Sequence, residues 1–103
     1  MRVIALSRLR AFWEAHADAE SPLRRWYKVA ISAEWDNFSD VRDTFGSADF
    51  WRSDESDKGY VIFNIGGNNY RLIASIWYDG KRVYIKEVMT HSEYDKDNWK
   101  EGL

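Results

Sequence analysis

Two tight turns limit what this 103-residue chain can become. Gly66-Gly67-Asn68-Asn69 and Asp79-Gly80 cut the stretch from Tyr60 to Tyr94 into three runs of strand length. Asp-Gly is favoured in two-residue type I′ hairpins, where both central residues take positive φ. Such a turn pairs Tyr78 with Lys81, Trp77 with Arg82, Ser75 with Tyr84, Ile73 with Lys86 and Arg71 with Val88. The glycine-rich turn pairs Ile65 with Tyr70, Asn64 with Arg71 and Ile62 with Ile73.

Side chains alternate across a sheet, so this register sorts them into two faces. One face carries Val61, Phe63, Ile65, Tyr70, Leu72, Ala74, Ile76, Val83 and Ile85, with Glu87 near its lower edge. That is a core face. The other carries Tyr60, Ile62, Asn64, Arg71, Ile73, Ser75, Trp77, Arg82, Tyr84, Lys86 and Val88. Cations interleaved with rings suit a polyanion with stackable bases, that is, RNA or single-stranded nucleic acid. Sheet faces also carry such residues for solubility alone.

The upstream half supplies the cover. Arg2–Leu6 reads as a short strand. Leu9, Phe12, Trp13 and His16 recur at helical spacing after Ser7, a candidate cap. Leu23, Trp26, Tyr27, Ala30 and Ala33 do so again after Ser21-Pro22, a helix-start pair. The spacing predicts a helical hairpin over the core face. Arg24, Arg25 and Lys28 lie off the second stripe, a solvated face on which a nucleic-acid backbone could rest. Residues 35–59 predict one helical turn, Asp40–Phe45, in a loop pinned by Trp35, Phe38, Phe45, Phe50 and Trp51. Strands clustered after helices predict an α+β fold, and the length predicts a single domain over 1–103.

Charge is segregated although the net is −2. Residues 34–57 hold eight acidic and two basic groups, whereas residues 58–91 hold two acidic and five basic. The strand region is therefore the anion-attracting part. The chain has no cysteine, which excludes disulfides and thiolate metal sites. No apolar run reaches the roughly 18 residues of a membrane span, and the N-terminal run breaks at Ser7-Arg8, too early for a secretory signal. A soluble, cytoplasmic protein without membrane attachment is expected.

After the last strand comes Thr90-His91-Ser92-Glu93-Tyr94-Asp95. His91 falls at the rim of the cationic face, where an imidazole can act as general acid or base. Tyr94 joins it if a helical turn begins at Thr90 or Ser92. Either of those residues can also simply cap a short C-terminal helix, with Glu93 and Asp95 at its positive end.

The run FNIGGNNYRLIASIWYDGKRVYIKEVMTHSEYDK closely resembles the HigB toxins, the RelE-like toxic component of type II toxin–antitoxin modules. SPLRRWYK and EWDNFSDVRDTFGSADF upstream resemble the same family. The resemblance implies a RelE-like fold: two N-terminal helices on one face of a small, mainly antiparallel sheet, a short C-terminal helix, and an exposed concave active face. It implies a ribosome-dependent endoribonuclease, an mRNA interferase that cuts translated messages without metal or other cofactor by attack of a 2′-hydroxyl on the adjacent phosphate. It also implies a HigA-type helix-turn-helix antitoxin, with operator DNA engaged only through the toxin–antitoxin complex. For that chemistry we assign Arg71 and Lys86 to phosphate stabilisation, His91 as general acid or base and Tyr94 as an auxiliary donor; Arg71, His91 and Tyr94 match the family pattern, whereas many relatives have Arg where Lys86 stands. Asn64, Asn68, Arg82 and Tyr84, with the basic Arg24, Arg25 and Lys28, would contact RNA. RelE-like folds also host gyrase-inhibiting toxins, so the alternatives are a non-catalytic toxin or a degenerate antitoxin-binding protein.

Overall fold

A computed structural model describes all residues, 1–103. Its strands are β1 (Arg2–Ile4), β2 (Asp49–Arg52), β3 (Gly59–Ile65), β4 (Tyr70–Trp77) and β5 (Arg82–Thr90). Its helices are α1 (Leu6–Ala15), α2 (Glu20–Ser32), α3 (Phe38–Thr44) and α4 (His91–Asp95), with 3-10 turns at Ala17–Ala19 and Asn98–Gly102. The five strands form one sheet in the order β1-β5-β4-β3-β2. Only the β1–β5 pair is parallel. The architecture is α+β with a mostly antiparallel sheet, consistent with a RelE-like fold.

The main core forms on the expected face. Leu9 of α1 and Leu23, Trp26 and Ala30 of α2 are buried together with Val61, Phe63, Leu72, Val83 and Ile85. Phe63 sits at its centre, with ring contacts to Trp26, Trp35 and Phe45 at 5.3, 6.3 and 5.3 Å between centroids. Full burial of such a ring contributes about 1.5–3 kcal/mol.

Helix starts differ from the expected caps. α1 begins at Leu6 with Ala5 as its cap residue, and Ser7 makes no capping hydrogen bond. α2 begins at Glu20, so Pro22 falls inside the first turn, where backbone N–H groups lack intrahelical partners anyway. The Ser21 hydroxyl instead accepts from Arg25 Nη1 at 2.9 Å. α3 starts two residues before the expected Asp40 because Asn37 caps it, accepting from the Asp40 N–H at 3.0 Å.

Three features of the sheet overturn the sequence reading. First, Asp49–Arg52 is a strand rather than loop, pairing with β3, and the Trp51 ring stacks on Tyr60 at 5.7 Å. Four residues are too few to display an alternation, so only the exposed edge of β3 reveals them as a strand.

Second, the Tyr78–Lys81 turn is not type I′. Positive φ falls on Lys81 (54°), not on Asp79 or Gly80. Gly80 is required for a different reason: a Cβ there would lie 2.3 Å from a ring carbon of Trp77. The expected Trp77–Arg82 and Ser75–Tyr84 pairs survive this change. At the other turn Gly66 and Gly67 do take positive φ, 62° and 70°, and all the expected β3–β4 pairs form.

Third, β5 carries a bulge. Ala74 pairs with Ile85 but Ile73 pairs with Glu87, which leaves Lys86 as the extra residue. From there the register slips by one: Leu72 pairs with Val88 and Arg71 with Met89, not Val88. Val88 therefore packs into the main core, while Met89 belongs to the other face. The freed Lys86 carbonyl accepts from Arg8 Nη1 at 3.0 Å, so α1 covers the defect.

The second face is also less open than the resemblance implied. Tyr60, Ile62, Ile73, Met89 and Trp99 form a smaller buried cluster there, capped by the C-terminal 3-10 turn.

Candidate active site

α4 follows β5 without a linker, and a capping box explains why. The Thr90 hydroxyl accepts from the Glu93 N–H at 3.1 Å, and the Glu93 carboxylate accepts from the Thr90 N–H at 3.1 Å. The His91 N–H reaches across to the Asn69 carbonyl at 2.9 Å. The helix start is thereby tied to the β3–β4 turn, which brings His91 beside Arg71.

Arg71 is 7% exposed and has no carboxylate partner. Its Nη1 donates to the Asn68 and Tyr70 carbonyls at 3.1 and 3.2 Å, and its Nη2 to Asn68 Oδ1. The guanidinium lies over the Tyr94 ring, 5.1 Å from the centroid. This is a nearly buried cation neutralised by no anion, held by neutral oxygens and a ring. An anion docking there gains charge-assisted bonds with little desolvation left to meet. Asn68 Oδ1 occupies one edge of the guanidinium.

His91 Nδ1 is 3.2 Å from Arg71 Nη2 and 3.0 Å from the Asn68 carbonyl, while Nε2 is 2.9 Å from Asp95 Oδ2. A neutral ring accepts from Arg71 through Nδ1; a protonated ring donates to Asn68 and Asp95. Both forms have partners in place, the arrangement a group needs to take and return a proton. Asp95 was not anticipated, although its i, i+4 spacing from His91 on a helix was there to be read.

Tyr94 is half-buried, and its phenol is held above its ordinary value, first by burial and then by the charge of Asp49, with Arg71 opposing. It stacks on Trp99 at 5.4 Å with the planes 13° apart, and Trp99 Nε1 donates to its carbonyl at 3.0 Å. Behind the site the Tyr70 hydroxyl donates to Asp18, and that bond, with burial, raises the phenol. Glu93 is held below the ordinary carboxylate range, first by its hydrogen bond from the Thr90 backbone.

The other expected residues scatter. Asn64 is the cross-strand partner of Arg71 and is half-buried on the same face. Lys86 sits at the bulge, three residues along β5 from the partner of Arg71, about 10 Å at strand rise. Its ammonium lies 5.9 Å over the Tyr84 ring. Arg82 lies 5.5 Å over the exposed Trp77 ring at the hairpin tip. Arg24, Arg25 and Lys28 belong to α2, which packs on the opposite, core face. Arg24 is engaged there by Glu20 at 2.7 Å and by the Trp13 ring at 4.7 Å. The structure thus brings together Asn68, Arg71, His91, Tyr94 and Asp95, leaves Lys86 apart, and puts the α2 cations on the other side of the sheet. No three His, Cys, Asp or Glu side chains are grouped so as to hold a metal ion, and no helix is long and apolar enough to cross a membrane.

Residues 19–97 match the family model described as HigB_toxin, the RelE-like toxic component of a toxin–antitoxin system. The chain belongs to the HigB toxin family. Among its relatives is the mRNA interferase toxin HigB of Escherichia coli K12, 54% identical over 39 residues, covering 38% of this chain and 36% of that protein. The matched region thus spans about a third of that relative's length. The mRNA interferase HigB of Escherichia coli O6:H1 is 34% identical over 74 residues, covering 72% of this chain and 69% of that one. The HigB family match includes every residue of the Asn68–Asp95 cluster.

Proposed function

We propose that the chain is the toxin of a type II toxin–antitoxin module, a single domain that cleaves translated mRNA on the ribosome. The observation that carries this reading is the nearly buried guanidinium of Arg71, paired with no carboxylate of the protein and in contact with His91. The relatives named mRNA interferases support it. In the proposed reaction the scissile phosphate displaces Asn68 Oδ1 and binds Arg71. The 2′-oxygen attacks phosphorus in line and the bond to the 5′-oxygen breaks, giving a 2′,3′-cyclic phosphate and a 5′-hydroxyl. His91 takes the 2′-hydroxyl proton while the leaving 5′-oxygen draws one from water, or as imidazolium it protonates the leaving oxygen while water takes the 2′-hydroxyl proton. Tyr94, kept neutral by burial, donates a hydrogen bond to the developing oxyanion without ionising. Asp95 orients the imidazole. Lys86, at the bulge, neutralises an adjacent phosphate, while Asn64, Arg82 and Tyr84 guide the strand. The α2 cations take no part in holding the scissile phosphate. A HigA-type helix-turn-helix antitoxin would neutralise the protein in the cytoplasm, with operator DNA bound only by their complex.

Induced expression tests this. Growth should arrest, with new 5′ ends inside translated messages. Arg71→Ala should lower cleavage about 10²–10³-fold and His91→Ala about 10²–10⁴-fold, each with an unchanged circular dichroism spectrum. Full toxicity in both variants, or intact transcripts with damaged DNA during arrest, would overturn the assignment.

A further inference from the structure

The largest cavity on the second face, about 470 Å³, is joined to the Arg71 site through Trp99, which packs on Tyr94. It is lined by Glu87 and Met89 of β5, Glu93 and Lys96 at α4, and Asn98, Trp99 and Gly102 of the C-terminal turn. Trp99 is the common element: its ring stacks on Tyr94, which in turn lies beneath the Arg71 guanidinium. The β5 bulge creates this lining, because without the extra residue Glu87 would fall on the core side.

The polar groups here differ in character from those at Arg71. The ends of Glu87, Lys96 and Asn98 are engaged by no hydrogen bond or ion pair within the protein. Glu93 commits Oε1 to the Thr90 N–H and hydroxyl at 3.1 and 3.0 Å and keeps its second oxygen free. Carboxylates repel a phosphate, so a nucleic-acid strand held at Arg71 presents a base here rather than its backbone. Met89 and Trp99, 3% and 7% exposed, form an apolar floor under these polar ends, and the volume lies within the range of small-ligand pockets.

We propose that this cavity receives a guanine of the RNA bound at Arg71. The Glu87 carboxylate accepts from N1–H and the exocyclic N2 amine, and the Lys96 ammonium donates to O6. A single-stranded base is read on this edge, and a carboxylate facing two adjacent donors makes a two-point contact. Adenine and cytosine offer only their one amine on this edge, and uracil only N3–H, so none presents two adjacent donor groups. The inference rests on the ribonuclease reading and assigns that site a base preference.

The test maps cleavage ends in cells expressing the full chain or its Glu87→Gln variant. Guanine should be enriched at one fixed position beside the cut in the wild type, and the enrichment should fall about tenfold in the variant, the scale of a two-point base contact. No guanine enrichment, or enrichment untouched by the substitution, overturns the pocket while leaving the ribonuclease reading intact. If the wild type cuts no message, that reading fails first, and the pocket is then judged by NMR. Guanosine monophosphate should shift the Trp99 indole N–H signal, identified by its loss in Trp99→Phe, and uridine monophosphate should not. Absence of that difference, or its persistence in Glu87→Gln, ends the proposal.

Discussion

Arg71 Nη2 and His91 Nδ1 stand 3.2 Å apart, yet the two residues come from elements twenty positions apart in the chain. Their approach depends on two local devices, the Gly66–Asn69 turn and the Thr90 capping box, joined by the His91 N–H to Asn69 carbonyl bond.

Asp95 should act only through His91. Asp95→Asn is expected to slow cleavage roughly tenfold in the wild-type background and to change nothing further when His91 is already alanine, since residues working as one unit are not additive. Rates of the four proteins of this cycle on a translated message decide it; two independent, additive losses would assign Asp95 a separate role.

Glu93 links acid to the integrity of α4. Its carboxyl lies below the ordinary 4.5 in the folded chain. As pH falls, the unfolded chain takes up this proton first, so the stabilisation is present above 4.5 and is lost as pH drops through the folded value. Thermal melts from about pH 6 to pH 3 should show a fall in Tm that is shallower in Glu93→Gln. Parallel curves for the two proteins would remove Glu93 from the account.

The Trp77 ring lying on Gly80 makes a sharper claim about the hairpin. Gly80→Ala puts a methyl 2.3 Å from that ring and is expected to cost about 1–3 kcal/mol. Combining it with Trp77→Ala should recover most of the loss, a coupling readable from chemical denaturation. An undiminished loss in the double variant would mean that the backbone, not the ring, objects.

Phe63 should be the most costly core position. Phe63→Ala is expected to remove about 3–5 kcal/mol, since Trp26, Trp35 and Phe45 all pack against its ring and cannot all close the gap. Urea unfolding measures this directly, and a loss under about 1 kcal/mol would show that the site collapses.

Much of this molecule was readable from short-range patterns. The α1 and α2 stripes, the strand-length runs, the pairs flanking each turn and the two-face division followed from turn chemistry and from periods of 3.6 and 2, which act over a few residues. That His91 and Tyr94 lie close to Arg71 agrees with the rim position read for Thr90–Asp95. The cap positions were misplaced because α1 and α2 begin before Ser7 and Ser21, with Ala5 and Ala19 as cap residues, whose side chains cannot cap and so leave no local signal.

What the sequence by itself determined was therefore the kind of fold, the core face and which residues could carry charge on the second face. The tertiary structure alone decided where those charges meet. The Lys86 bulge, which separates Lys86 from Arg71 and turns Glu87 and Met89 onto the second face, has its freed carbonyl taken by the Arg8 side chain of α1, far away in the chain. The β2 strand exists because β3 offers an edge, and Trp99 covers Ile62, Ile73 and Met89 because the C-terminus folds back over them. Each is a contact between segments far apart in the chain, set by hydrogen bonds and buried area that local residue patterns do not encode.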